Sequence, residues 1–210
     1  MMGKTHVFIG IASALALTTP DNLGGCLSAI VGGAVGGSIS DIDVGSDKDG
    51  IGSLYAKLIT TGIIPISLII DYIIDGGIID YVRNCNRTNL AIGVIMFIVL
   101  CFIGSKQDHR GFTHSLLALF LFSVSIGFFC KPILMPFVIG FASHILIDLL
   151  NKKPVKVFFP SKKGVCFKLC YANKTTDKIL TLIGIVATVV LLGHSLVTNI
   201  NLDLNFNLPI

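Results

Sequence analysis

An all-α fold, a polytopic transmembrane bundle of about six or seven helical segments with some of them short or re-entrant, is what the sequence predicts. Three observations carry that expectation. Hydrophobic residues make up 53% of the 210-residue chain and charged residues only 13%, where a soluble domain carries about a quarter charged residues. Mean hydropathy is +0.84. Charge-free apolar runs also recur along the chain, separated by short polar stretches. This is more apolar surface than one soluble core can hide, and it matches no disordered, collagen-like or coiled-coil composition.

The runs can be taken in order. The first, Val7 to Thr19, follows Lys4 and His6. Its Ala14-Leu15-Ala16 triplet faintly resembles a signal-peptide cleavage site, but the triplet lies inside the apolar run, so His6 is expected to be retained. The second, Leu23 to Ser40, carries Gly32 with Gly36 and Gly33 with Gly37, spacings that let another helix approach closely. A phosphate-binding loop would need a following Lys-Ser or Lys-Thr, which is absent. The third, Leu58 to Ile70, is broken by Pro65 and followed by Asp71, Asp75 and Asp80, which predicts an amphipathic surface segment reaching Tyr81. Thr88 to Ser105, Gly111 to Cys130, Pro132 to Ile147 and Ile179 to Thr198 complete the set. Residues 1–150 are thus expected to form the membrane domain, 151–178 a basic cytoplasmic loop and 179–198 a C-terminal transmembrane helix.

Charge orients this arrangement. Eight of the sixteen basic residues fall between Lys152 and Lys178. If seven spans place that loop in the cytoplasm, thirteen basic residues lie inside and three, Arg83, Arg87 and Lys131, outside, as the positive-inside rule requires. The loop lacks arginine and regularly interleaved aromatics, so it predicts a solvated or anionic-lipid-facing segment with no nucleic-acid role. The N-terminus is then cytoplasmic.

All twelve acidic residues are aspartates, which excludes the His-Glu-x-x-His metalloprotease motif. The six cysteines form no Cys-x-x-Cys pair, and packing thiols are expected, with Cys166 and Cys170 in the basic loop the only pair that suggests metal or redox chemistry. His144 and Asp148 are four apart on a helix and project from one side, a spacing that suits either a hydrogen bond or a shared metal ion. His109-Arg110-Gly111-Phe112-Thr113-His114-Ser115 sets two imidazoles around an arginine where an apolar helix begins. Its Gly111 frees the backbone to turn, and Arg110 with the helix N-terminus offers a place for an anionic oxygen. An ordinary loop capped by Thr113 or Ser115 is the alternative. Asp41-Ile42-Asp43 adds two carboxylates, while Asp47-Lys48-Asp49-Gly50 echoes a calcium loop without its terminal ligand. On the seven-span arrangement His6, Asp41, Asp43, His109, His114, His144 and Asp148 all fall at the cytoplasmic face.

His6, Asp41-x-Asp43, the His109 to Ser115 string and Ser143-His144 with Asp148, in that order, resemble the YdjM-like family of bacterial membrane-bound metal-dependent hydrolases. The resemblance covers roughly residues 3 to 160. It implies a multi-pass protein of the bacterial inner membrane, and the family's kinship with zinc-dependent phospholipase C points toward phosphoesters. Two departures stand out: family members commonly read Pro-Asp-x-Asp-His, and this chain has Ser40 before Asp41 and Val44 after Asp43.

The expected mechanism is metal-assisted hydrolysis by one or two divalent ions, zinc or manganese. The ligands are drawn from His6, Asp43, His114, His144 and Asp148, with Asp41 a further ligand or base, His109 a ligand or general acid, and Arg110 an anion clamp. The expected partners are membrane lipids and an amphiphilic phosphate-bearing substrate. The rival classes are a transporter using Asp71 and Asp75 beside Pro65, and a membrane protein whose metal only stabilises the fold.

Overall fold

The computed structural model describes residues 2–43, 62, 65–169 and 175–206. Val44, the Asp47 to Gly50 turn, most of the run from Leu58 to Pro65 and Cys170 lie outside the described residues. Among the described residues there are eight α-helices and no β-strand: α1 Gly3–Thr18, α2 Leu23–Ile39, α3 Pro65–Ile74, α4 Ile78–Asn84, α5 Arg87–Ser105, α6 Leu116–Phe129, α7 Leu134–Leu149 and α8 Thr175–Phe206. Helices are the expected outcome, because a segment in hydrocarbon must satisfy its own backbone hydrogen bonds. Where the helices begin, Asn22, Asn86 and Ser115 each accept from a backbone N–H of the first turn.

Four spans, Leu23–Asp43, Arg87–Ser105, Lys131–Leu149 and Thr175–Thr198, are long and apolar enough to cross a membrane. At 16 and 14 residues, α1 and α6 are about 24 and 21 Å long, short of the roughly 30 Å hydrocarbon core. Neighbours compensate. The glycines of α2 explain how, because its two overlapping motifs face two different helices. A Cβ on Gly33 would lie 2.7 Å from the Gly10 carbonyl oxygen and 2.9 Å from the Ala14 side chain of α1, while one on Gly32 would lie 2.5 Å from the Pro136 side chain of α7. Gly140 of α7 packs directly against Gly33. So α2 is a buried central helix between α1 and α7, and α5 and α8 present exposed Ile, Val and Phe on their outer faces.

The helices alternate in direction. Gly37 at the end of α2 meets the backbone of His6 at the start of α1, Gly104 at the end of α5 meets the Thr113 methyl just before α6, and Asp177 at the start of α8 accepts from Met2 N and Thr5 Oγ1. One end of the bundle therefore gathers the starts of α1, α6 and α8 and the finishes of α2, α5 and α7. At the other end Gly24 packs on Gly76, and buried Asp71 accepts from Ile78 N at 3.0 Å and Ile79 N at 2.7 Å, capping α4. That cap accounts for the burial of Asp71 without an ion path.

The basic segment after α7 is more ordered than its lysines suggest. Val155 and Val157 are buried in the core with Phe112, and Val155 pairs with Val165 in an antiparallel bridge. The segment is strapped across the bundle end by Phe167 N to Leu149 O, Lys156 N to Arg110 O and Leu116 N to Val157 O.

Candidate metal centre

All seven histidine and aspartate candidates meet at that bundle end. His6 comes from the first turn of α1, Asp41 and Asp43 from a 3-10 turn finishing α2, His109 from the loop after α5, His114 from a 3-10 turn before α6, and His144 and Asp148 from the last turns of α7. Three overlapping trios offer ligand atoms within 4.8 Å of one another: His6, His144 and Asp148; Asp41, His114 and His144; Asp43, His109 and His114. His6, His114, His144, Asp43 and Asp148 are buried.

The acceptors around the rings assign their protons. His144 Nδ1 lies 2.7 Å from the Gly37 carbonyl oxygen, which can only accept, so Nδ1 carries the hydrogen. The Thr113 hydroxyl donates to Asp43 Oδ2, leaving its oxygen to accept from His114 Nδ1 at 3.1 Å. Both Nε2 atoms are then bare in the neutral rings, yet they face each other at 3.2 Å. Two lone pairs at that separation repel unless a cation lies between them. Without a metal a proton can serve: burial opposes charging of His114, but hydrogen bonds to Asp148, Asp41 and Asp43 outweigh burial and hold its pKa well above the ordinary histidine value.

The spacing fits a metal in the same place. His114 Nε2 and His144 Nε2 each lie 3.7 Å from Asp41 Oδ1, so the three atoms form a triangle with edges of 3.2, 3.7 and 3.7 Å. A tetrahedral ion with bonds of about 2.0–2.1 Å has ligand-to-ligand edges of about 3.4 Å. Asp148 reaches the same region, with Oδ2 at 3.5 Å from His114 Nε2 and Oδ1 at 3.4 Å from His6 Nε2. His6 stacks on His144 with ring centroids 3.7 Å apart, and neither of its nitrogens makes a hydrogen bond. A buried imidazole left this way is costly unless something else engages it.

Asp43 sits differently. Its Oδ1 accepts from His109 Nδ1 at 2.8 Å, and its Oδ2 accepts from Arg110 N at 3.1 Å and from Thr113. It therefore orients two imidazoles from behind, the arrangement that fixes tautomers in metal sites. The His109 side chain is 41% exposed, with Nε2 bare.

Arg110 is not an open anion clamp. Its guanidinium is buried, with NH2 3.1 Å from Asp148 Oδ2 and NH1 donating to the Lys153 carbonyl at 2.8 Å, leaving Nε without a hydrogen-bond partner. The left-handed residue of the turn is Arg110, φ 67°, rather than Gly111, where a Cβ would meet the Asp108 carbonyl oxygen at 2.8 Å. The first turn of α6 is also partly taken: Leu116 N bonds Val157 O and Ala118 N bonds the Ser115 hydroxyl. So Ser115 is an N-cap within the same motif that supplies His109 and His114.

Three contributors escape a reading of residue types. Thr113 links Asp43 to His114, and the carbonyls of Gly37 and Lys153 hold His144 and Arg110. Thr113 stood within the motif; backbone carbonyls carry no side-chain signal. No curated protein and no solved structure matches the chain. The family model described as YdjM inner membrane protein matches residues 1–204, spanning every residue of the centre and all of the helices but the last two residues of α8. The chain belongs to the YdjM inner membrane protein family.

Proposed function

We propose that this inner-membrane protein is a metal-dependent hydrolase that cleaves an amphiphilic phosphate ester at the cytoplasmic membrane face. The observation that carries the proposal is the pair of bare Nε2 atoms of His114 and His144, ringed by Asp41, Asp148 and His6. A divalent ion held there, zinc or manganese, would supply an acidified water and polarise the phosphoryl group. The donors exceed the four of a closed structural zinc, which leaves room for water, substrate or a second ion. Asp43 and Thr113 hold His114 in the ligating tautomer. Arg110 steadies Asp148 through the 3.1 Å contact of its NH2 with Oδ2. His109, half exposed and braced at Nδ1 by Asp43, would hand a proton to the leaving oxygen once its bare Nε2 has taken one, for example from the attacking water.

The cytoplasmic placement rests on the thirteen-to-three bias of basic residues. Cys166 lies in the basic strap and Cys85 at the opposite end of the bundle, beside Asn86 and Lys131. With either as the sole cysteine, an impermeant thiol reagent on intact cells should label Cys85 and spare Cys166; the reverse pattern overturns the orientation.

The activity test is phosphate or headgroup release from detergent-solubilised phospholipids and isoprenoid phosphates. Native protein loaded with zinc or manganese should turn over. Arg110→Ala, which removes the guanidinium that steadies Asp148, should weaken metal binding about 10–100-fold and lower activity, and His114→Ala should lose both. No release by fully metallated native protein across that panel would refute phosphoester hydrolysis.

A further inference from the structure

We infer that residues 152–169 form a docking surface for the anionic headgroups of the surrounding leaflet, with Phe158, Phe167 and Leu169 seated between headgroups and acyl chains. Position is the first argument. Phe167 N donates to Leu149 O at 2.7 Å and Leu169 N to Leu150 O at 3.0 Å, so both hang at the finish of the Lys131–Leu149 span, where hydrocarbon gives way to headgroups. Exposure is the second. The strap buries Val155 and Val157 in the core but leaves Phe158, Phe167 and Leu169 at 64%, 59% and 72% exposure. The valines anchor the strap, and among the described residues these larger side chains stand outside the core.

Charge names the occupant. Residues 152–169 carry six lysines, Lys152, Lys153, Lys156, Lys162, Lys163 and Lys168, and no acidic residue. Lysines beside apolar and aromatic tips at this depth match a surface of anionic lipid, which rewards both features together. A soluble acidic partner would reward only the lysines, and at this depth would have to displace lipid to reach the tips. The strap also holds Arg110, through the Lys153 carbonyl and Lys156 N, so headgroup binding and the metal centre share one segment. The surface itself uses no metal, and its failure in the test below leaves the hydrolase reading untouched.

The chain has no tryptophan, so Phe167→Trp and Phe158→Trp are each single-reporter proteins. In nanodiscs of phosphatidylcholine mixed with phosphatidylglycerol, both should show blue-shifted emission quenched by lipids spin-labelled near the headgroup. Combining either with Lys162→Gln, Lys163→Gln and Lys168→Gln should shift emission back toward the red and weaken quenching. Red, unquenched emission from both reporters in anionic nanodiscs overturns the proposal, as does quenching that the glutamine substitutions leave unchanged. A shift produced only by adding an acidic peptide also overturns it, by assigning the surface to a protein partner.

Discussion

Thr113→Val is the sharpest probe of how the centre is held. Thr113 is fully buried, and its hydroxyl donates to Asp43 Oδ2 while accepting from His114 Nδ1 at 3.1 Å. Valine keeps the shape and removes both bonds. His114 Nδ1 is then left with Asp43 Oδ2 at 3.4 Å, a longer contact. One of the lost bonds goes to a carboxylate, worth about 1.5–3 kcal/mol, and the other is a neutral bond worth about 0.5–1.5 kcal/mol. Losing an orienting partner behind a ligating histidine lowers metal affinity about 10–100-fold, or about 1.4–2.8 kcal/mol. The assay is competition for zinc against a chromophoric chelator with detergent-purified protein, run beside Thr113→Ser. Serine keeps the hydroxyl and loses only the methyl that packs on Gly104, so it should bind within a few-fold of native. Native affinity in folded Thr113→Val, or a serine variant as weak as the valine one, would refute the assigned tautomer and the role of Asp43.

Gly33→Ala forces a Cβ to within 2.9 Å of three atoms of α1, an overpacking cost of about 1–3 kcal/mol that exceeds the roughly 1 kcal/mol alanine gains in helix propensity. Gly193→Ala, on α8 with nothing within 4 Å of the added carbon, is the matched control. Thermal unfolding in detergent should rank Gly33→Ala below native and Gly193→Ala at or above it, and equal midpoints for the two would undo the packing argument. Asp71→Asn replaces one of two carboxylate acceptors with an N–H₂ group facing the start of α4, which should cost about 1–2 kcal/mol. Metal content should not change, since Asp71 lies at the opposite end of the bundle. A fall in bound metal with unaltered stability would return Asp71 to an ion-handling role.

Much of this centre was legible because the chain is so apolar. In a sequence with five histidines and twelve aspartates, polar residues near the ends of apolar runs stand out, and the order of the runs alone brings His6, Asp41, Asp43, His109, His114, His144 and Asp148 to one end of an alternating bundle. Helix periodicity pairs His144 with Asp148 but says nothing of His6 stacking on His144, which depends on how closely α1 approaches α2. The Gly32/Gly36 and Gly33/Gly37 spacings signalled close approach without saying that one pair faces α7 and the other α1. The basic segment read as a solvated or anionic-lipid-facing loop because lysines dominate its composition. Its apolar signal was the short Val155-Lys156-Val157 alternation, whose two valines are the buried ones. Arg110 looked free for an anion because sequence cannot show a carbonyl acceptor such as Lys153, nor that Asp148 would lie within 3.1 Å.

Charge balance ties the packing to the chemistry. Asp41, Asp43 and Asp148 bring three negative charges to the cluster and Arg110 brings one positive charge, so with neutral imidazoles the centre holds a net charge of −2. Leaving that charge unbalanced in a largely buried site would cost several kcal/mol per ion. Protons can supply part of the balance, but two imidazolium rings among His6, His114 and His144 would stand close together, with the His6 and His144 rings stacked at 3.7 Å and the His114 and His144 rings 4.9 Å apart. One divalent ion brings both charges at once, to the point where bare nitrogens and carboxylate oxygens already converge. The glycines of α2 make that point available: with Gly33 and Gly37 against α1, Gly32 and Gly36 against α7, and the Gly37 carbonyl bound to His144, His6 and His144 can reach one centre. A bulkier α2 would hold the two helices apart and leave the same histidines and aspartates as separate polar helix ends.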